Sequence, residues 1–135
     1  MKTIIKYSLL AVCILFAACY NDDVIASKPG EPIDGIDNLQ HNINGNEVSF
    51  TWDLPTSYPE GIITPVSVQI VLTVDGVREG GAIILPDNPS NFTYNTYDSN
   101  KEYRFTLKVV ADRDVQEDEP YVSTVWYSEG TTLEI

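Results

Sequence analysis

The sequence is poor in the residues that build metal centres and covalent frameworks. It contains one His and two Cys among its 135 residues, too few for a His/Cys zinc site or a disulfide scaffold. Its one sustained apolar run, residues 7–18, is far shorter than the roughly 20 residues that a membrane-spanning helix needs. We therefore expect no bound metal, no disulfide framework and no polytopic membrane fold.

Basic residues are scarce as well. The chain has 8 Lys and Arg against 20 Asp and Glu, a net charge of −12, which would repel a phosphate polymer and argues against a nucleic-acid partner. It carries neither a Gly-x-Ser-x-Gly motif nor a phosphate-binding Gly loop, and His41 has no nucleophile motif to serve. The expectation is a protein that is not an enzyme and needs no cofactor.

The N-terminus has the features of a targeting signal. Lys2 and Lys6 precede the short apolar run, and the run ends in two small residues before Cys19. A positive start followed by an apolar stretch of this length is typical of a cleaved signal peptide. We predict that residues 1–18 form this signal peptide.

The end of that run resembles a lipobox, the processing site of bacterial lipoproteins. It reads Leu-Phe-Ala-Ala-Cys up to Cys19, with Phe16 where Leu is the commonest residue. The resemblance implies cleavage before Cys19 and attachment of acyl chains there, with the membrane as a partner. Asp22 and Asp23 resemble the surface-export signal of Bacteroidetes-type outer-membrane lipoproteins, and the alternative is a solvated linker. The implied location is the outer membrane, facing outward.

The remaining chain divides into a tether and one domain. Residues 19–32 hold the expected lipid site and then a segment with two Pro, one Gly and several acids, a composition typical of a linker. Thirteen residues of it reach at most about 45 Å. At 43% hydrophobic, the chain can bury a core, and we place one domain over residues 33–135.

Apolar and polar residues alternate through this domain with a period of two. The pattern is clearest over residues 48–52, 66–74 and 103–111, and shorter β-rich segments cover 82–85, 92–96, 122–127 and 131–135. Asp75-Gly76 between two Val residues is a strong hairpin signal. The pattern predicts an all-β fold, an immunoglobulin-like or fibronectin type III-like β-sandwich of about seven strands.

The resemblance to fibronectin type III domains rests on two segments. They are Val48-x-Phe50-x-Trp52-x-x-Pro55 and the alternating strand that starts at Tyr103. The resemblance implies that Tyr103 is the tyrosine-corner residue, whose hydroxyl bonds to the backbone. A lipobox followed by one such domain also resembles the small lipoproteins of uncharacterised families in Bacteroidetes-type gut bacteria. It is similar to the N-terminal domain of starch-utilisation surface lipoproteins, which implies a place in glycan uptake.

Few residues qualify as candidates for a ligand site. Trp52 could stack on a ligand, but its phase with Val48 and Phe50 predicts a structural place in the core. Trp126 and Tyr127 are adjacent on a strand, so one of them faces out and could stack on a sugar together with Tyr121. The alternative for this pair is packing on the sheet. The acidic segment 112–119 offers Ca²⁺ ligands but fails the EF-hand spacing, and a solvated loop is the favoured interpretation.

These observations favour a non-catalytic surface lipoprotein that acts as a protein-interaction or spacer module within a glycan-uptake complex. Its partner would be another outer-membrane protein. The alternative is a carbohydrate-binding lipoprotein that recognises a polysaccharide through aromatic residues on the last strand. A pure spacer, with no ligand, is the third hypothesis.

Overall fold

The computed structural model describes residues 33–115 and 123–135, and these contain nine β-strands and no helix. The strands are β1 (Asp37–Asn44), β2 (Glu47–Asp53), β3 (Ile62–Val74), β4 (Val77–Arg78), β5 (Ile83–Leu85), β6 (Asn91–Tyr94), β7 (Tyr103–Arg113), β8 (Val125–Tyr127) and β9 (Thr131–Glu134).

The strands form two antiparallel sheets packed as a sandwich. The smaller sheet has the order β1-β2-β6. In the larger sheet, β3 and β7 lie side by side at the centre, with β4 and β5 on the free side of β3, and β8 and β9 on the free side of β7. This order is consistent with an immunoglobulin-like or fibronectin type III-like sandwich, so the predicted all-β sandwich is confirmed.

The described part of the chain has nine strands where the sequence predicts about seven. One addition is β4, the two-residue return of the hairpin at Asp75-Gly76. The segments predicted over 122–127 and 131–135 form β8 and β9, which follow one another along β7 with an irregular register between them. Val110 pairs with Tyr127 but Leu107 pairs with Thr131, so four steps from Tyr127 to Thr131 oppose three steps along β7. This extra residue is a β-bulge.

The hairpin between β3 and β4 illustrates how local sequence dictates geometry. Val74 pairs directly with Val77, which leaves Asp75 and Gly76 as the two loop residues. Their φ angles are 50° and 79°. A two-residue loop with two positive φ angles matches the right-handed twist of the flanking strands, and Asp followed by Gly tolerates it at low cost.

The core lies between the sheets and follows from the period-two pattern of β2, β3 and β7. Alternate residues of these strands are buried. In β7 the odd-numbered residues from 103 to 111 are buried, and the even-numbered residues lie on the solvent side. Trp52 is 3% exposed, and its indole Nε1 donates a hydrogen bond to the Pro89 carbonyl at 2.8 Å. That carbonyl acceptor satisfies the polar atom of a ring that otherwise packs among apolar side chains.

Tyr103 begins β7 and ties the sandwich to the preceding loop. Its side chain is 4% exposed, and its hydroxyl accepts a hydrogen bond from the Asp98 amide at 3.0 Å. The same hydroxyl donates to the Thr96 carbonyl at 3.4 Å. These are bonds from a buried tyrosine back to the backbone a few residues upstream, the geometry of a tyrosine corner.

Candidate functional site

Trp126 and Tyr127 point to opposite sides of the larger sheet, and the register of β8 on β7 decides which way each points. Trp126 pairs with the buried Ala111, whereas Tyr127 pairs with Val110 on the solvent side. Directly opposed residues of an antiparallel pair share a face. Trp126 is therefore partly buried against the core, and Tyr127 is 53% exposed.

Arg113 covers the Trp126 ring. Its guanidinium carbon lies 5.0 Å from the ring centroid, within the range of a cation–π interaction. Because the ring is held between the core and Arg113, a sugar would have to displace the guanidinium to stack there. Of the two described aromatic residues considered for stacking, Tyr127 is therefore the one presented to solvent; Tyr121 lies outside the described residues.

Tyr127 belongs to a surface that we call the outer sheet face, the solvent side of the larger sheet around β3 and β7. Two cross-strand rows define its centre. One row runs from Ile84 through Gln69 to Lys108, and the other runs from Ser67 through Val110 to Tyr127. Neighbouring strands are about 4.8 Å apart, so the two rows place apolar, amide and cationic groups within reach of one ligand or partner.

Exposed apolar side chains are concentrated on this face. Among the large hydrophobic residues that the structure shows exposed, Ile63, Ile84 and Tyr127 lie on it, at 49%, 52% and 53% exposure. Ile63 shares it because it pairs with Asp112 on the solvent side of β7. Val77 lies in a hairpin, and Ile43 lies on the other sheet. Exposed apolar groups gathered on one surface are typical of interaction sites.

The two outer surfaces of the sandwich differ in charge. Arg78, Arg104 and Lys108 lie on the outer sheet face, since Arg78 and Arg104 both pair with Thr73. Arg104 forms an ion pair with Glu134 at 2.6 Å, and no described acidic group pairs with Lys108.

The solvent side of the smaller sheet contrasts with it. Over the paired segments of β1, β2 and β6 its side chains are amides, hydroxyls and carboxylates, with Glu47 and Asp53 at its two ends. No Lys or Arg occurs in these three strands. Among the two solvent-facing sheet surfaces of the described residues, the outer sheet face is therefore the one that offers Lys and Arg side chains to an acidic group.

The acidic side chains of the described residues do not form a metal-binding cluster. No group of three His, Cys, Asp or Glu side chains in the described residues is close enough to hold a metal ion, and half of the acidic segment 112–119, residues 116–119, lies outside that part of the chain. Two pKa shifts have structural causes. Burial raises the pKa of Tyr58, and hydrogen bonds from the backbone amide and then the side chain of Asn100 lower the pKa of Asp98.

Several predicted site residues fall outside the described residues. They are Cys19, Asp22, Asp23 and Tyr121. Conversely, no sequence pattern selects Gln69, Ile84 or Lys108 as site residues. The period-two pattern shows that Gln69 and Lys108 face away from the core, but it does not show that they are neighbours. Only the pairing of β3 with β5 and β7 brings the three side chains into one row.

Comparison with known families agrees with the expectation of an uncharacterised family. Residues 19–135 match the family described as "Domain of unknown function (DUF4945)". The chain belongs to this family. The match begins at the predicted lipid-attachment residue and includes every described strand. No curated protein matches the chain. Within the described residues no helix is long and apolar enough to cross a bilayer.

Proposed function

We propose that this member of the family is a non-catalytic interaction module, held at the outer membrane by acyl chains on Cys19. The sandwich presents its outer sheet face to an outer-membrane protein, within a complex that takes up glycans. The observation that supports this proposal most directly is the concentration of exposed apolar side chains and cations on that face. The same proposal includes that the domain is fibronectin type III-like and that the protein is an outer-membrane lipoprotein of the Bacteroidetes type.

The chemistry of the outer sheet face suits a protein partner. An exposed Tyr offers a large apolar area at low cost in conformational entropy, and aromatic residues are enriched among those that dominate binding energy. Lys108 lies diagonally from Tyr127, because Tyr127 pairs with Val110 two residues along β7. A partner that places one apolar side chain against Tyr127, another against Ile84 and a carboxylate near Lys108 would match this surface in shape and charge.

The contact surface is tested by site-specific photo-crosslinking on intact outer membranes. A photoreactive residue replaces Ile84 on the outer sheet face, and the matched control replaces Thr51, which is exposed on the solvent side of the smaller sheet. We expect one discrete adduct from position 84 and none from position 51. Equal labelling at both positions, or labelling at neither, would contradict a partner on the outer sheet face.

The anchor and the export signal have separate tests. Cys19→Ala should abolish incorporation of labelled fatty acid, and labelling that persists would reject Cys19 as the lipid site. Replacing both Asp22 and Asp23 with Ala should leave lipidation intact but protect the domain from a membrane-impermeant reagent in whole cells. Unchanged surface labelling would reject their role in export.

A second candidate function is carbohydrate binding, and the exposure of Tyr127 favours it. A ring that is 53% exposed and diagonal to Lys108 can stack on a sugar, while Lys108, and Ser67 two strands away, offer hydrogen bonds to its hydroxyls. Affinity gels with a panel of polysaccharides test this. Tyr127→Ala should abolish any retardation, and Ile43→Ala, which removes an exposed apolar group from the other sheet, should preserve it. Retardation that both variants retain would place the sugar elsewhere.

A further inference from the structure

Strand β1 forms a free edge of the smaller sheet. It pairs with β2 on one side, and no described strand lies on its other side. Seven of its eight residues are exposed, and Leu39 is partly buried. The irregularity of its register lies between Asp37 and Gln40, so the segment Gln40–Asn44 is regular. A regular free edge offers unpaired backbone donors and acceptors to another strand.

Hydrogen-bonded and non-hydrogen-bonded residue pairs alternate between β1 and β2, and this alternation identifies the free groups. Asn44 pairs with Glu47 across a two-residue loop, and such a closing pair exchanges its backbone hydrogen bonds. Asn42 and Gln40 form the next hydrogen-bonded pairs along the strand, so their backbone groups also point toward β2. The amide and carbonyl groups of His41 and Ile43 therefore point away from β2, along the free edge.

The regular part of this edge, residues 40–44, lacks the features that usually prevent pairing. Edge strands are commonly protected by Lys, Pro, bulges or short length, and this segment contains no Asp, Glu, Lys, Arg or Pro and no register irregularity. The other outer strands of the two sheets have at most four residues each among those described. Because residues 39–44 contain no Asp or Glu, pairing through this segment brings none of its own carboxylates together in a chain with a net charge of −12.

We propose that β1 pairs with β1 of a second copy of this chain, antiparallel and centred on Asn42. The regular segment Gln40–Asn44 has Asn42 at its middle, so this register uses its full length. His41 then lies opposite Ile43 of the second copy, and these two pairs exchange four backbone hydrogen bonds. On the solvent side Gln40 meets Asn44, and Asn42 meets its own copy, so carboxamides that both donate and accept face one another.

The pairing joins two three-stranded sheets into one six-stranded sheet across a two-fold axis. An interface on such an axis is self-complementary, the commonest arrangement of homodimers. It leaves the outer sheet face free, so it is independent of the function proposed above. A failure of either proposal leaves the other standing.

Disulfide trapping tests the register. The soluble chain 20–135 contains all nine described strands and the described core, and it lacks both native Cys residues. At the centre of the proposed pairing, Asn42→Cys places two thiols on residues whose Cα atoms are about 4.5 Å apart, within disulfide range. Asn44→Cys places them four residues out of register, about 13 Å apart. Thr51→Cys lies on the neighbouring strand.

We expect rapid formation of a disulfide-linked dimer for Asn42→Cys, at least tenfold faster than for Asn44→Cys or Thr51→Cys under the same mild oxidation. Equal rates for the three variants would show that the thiols meet by random collision and would overturn the proposal. A faster reaction of Asn44→Cys would overturn the register.

A charge placed on the edge gives a second, thiol-free test. Sedimentation equilibrium of the unmodified chain 20–135 should show a monomer–dimer equilibrium, and Ile43→Lys should shift it to monomer. Thr51→Lys adds the same charge to the solvent side of β2 and should leave it unchanged; circular dichroism checks that both variants fold. A wild-type chain that stays monomeric at about 1 mM, or equal dimerisation of both variants, would contradict the pairing.

Discussion

Tyr103→Phe removes one hydroxyl and leaves the aromatic ring. The hydroxyl accepts from the Asp98 amide at 3.0 Å and donates to the Thr96 carbonyl at 3.4 Å. The ring contacts persist, with centroids 5.1 Å from Tyr97 and 5.8 Å from Tyr94. The variant therefore reports on the two hydrogen bonds of the corner and hardly on the burial of the ring.

The magnitude follows from what each bond contributes. The longer bond is weak, and the shorter one, when lost, leaves a partly buried amide without its acceptor. Hydrogen bonds of this kind contribute about 1 kcal/mol, and an unsatisfied buried donor adds to the loss. We expect Tyr103→Phe to lower the free energy of unfolding by about 1–2 kcal/mol. Tyr103→Ala, which also removes the ring, should cost about 3–5 kcal/mol.

Urea denaturation of the chain 20–135 measures the effect. With a slope of about 2 kcal/mol per molar urea, the midpoint of Tyr103→Phe should fall by about 0.5–1 M. Tyr97→Phe is the matched control, because Tyr97 packs against the same ring but its hydroxyl forms no hydrogen bond to the described residues. Its midpoint should hardly move. Equal midpoints for the two variants would refute the reasoning that the corner bonds stabilise the fold.

Three further predictions concern packing and charge. Gly130→Ala should cost about 1–3 kcal/mol, because the new Cβ would lie 2.7 Å from Cγ2 of Thr106; adding Thr106→Ser removes that methyl and should restore the denaturation midpoint. The pKa of Asp98 is lowered from its ordinary 3.8, so its contribution to stability is complete above that pH and is lost as the pH falls through the folded-state value. The difference in melting temperature between wild type and Asp98→Ala should therefore shrink in acid, and a constant difference would contradict this. Trp126→Ala should destabilise the domain by about 2 kcal/mol and Tyr127→Ala by less than about 0.5 kcal/mol. Equal denaturation midpoints for the two variants would contradict the assignment of Trp126 to the core side and Tyr127 to the solvent side.

Local sequence was sufficient for several parts of this fold. The alternation at Val48, Phe50 and Trp52 predicts a strand with one buried face, and the structure has that strand and that face. Asp75-Gly76 predicts a two-residue hairpin, and Val74 pairs with Val77 across it. These features are predictable because side-chain direction in a strand and φ in a tight turn depend on residues close together in the chain.

The candidate surfaces were predictable to a lesser degree. The sequence shows that Trp126 and Tyr127 face opposite ways, but not which of them is exposed, because this depends on pairing with a strand about 16 residues away, at Ala111 and Val110. The irregular register between β8 and β9 was not predicted either. It depends on how β8 and β9 each fit against β7, which no short stretch of sequence contains.

The sequence by itself determined that this chain folds as a β-sandwich, which residues of each long strand form the core, and that its charge is strongly negative. It does so because burial follows the two-residue period of the strand and charge is a sum over residues. The tertiary structure decided which outward-facing residues are neighbours and which strand is left as a free edge. The outer sheet face and the edge at β1 exist because residues far apart in the chain pair in one register, and a shift by a single residue would turn each side chain to the other face.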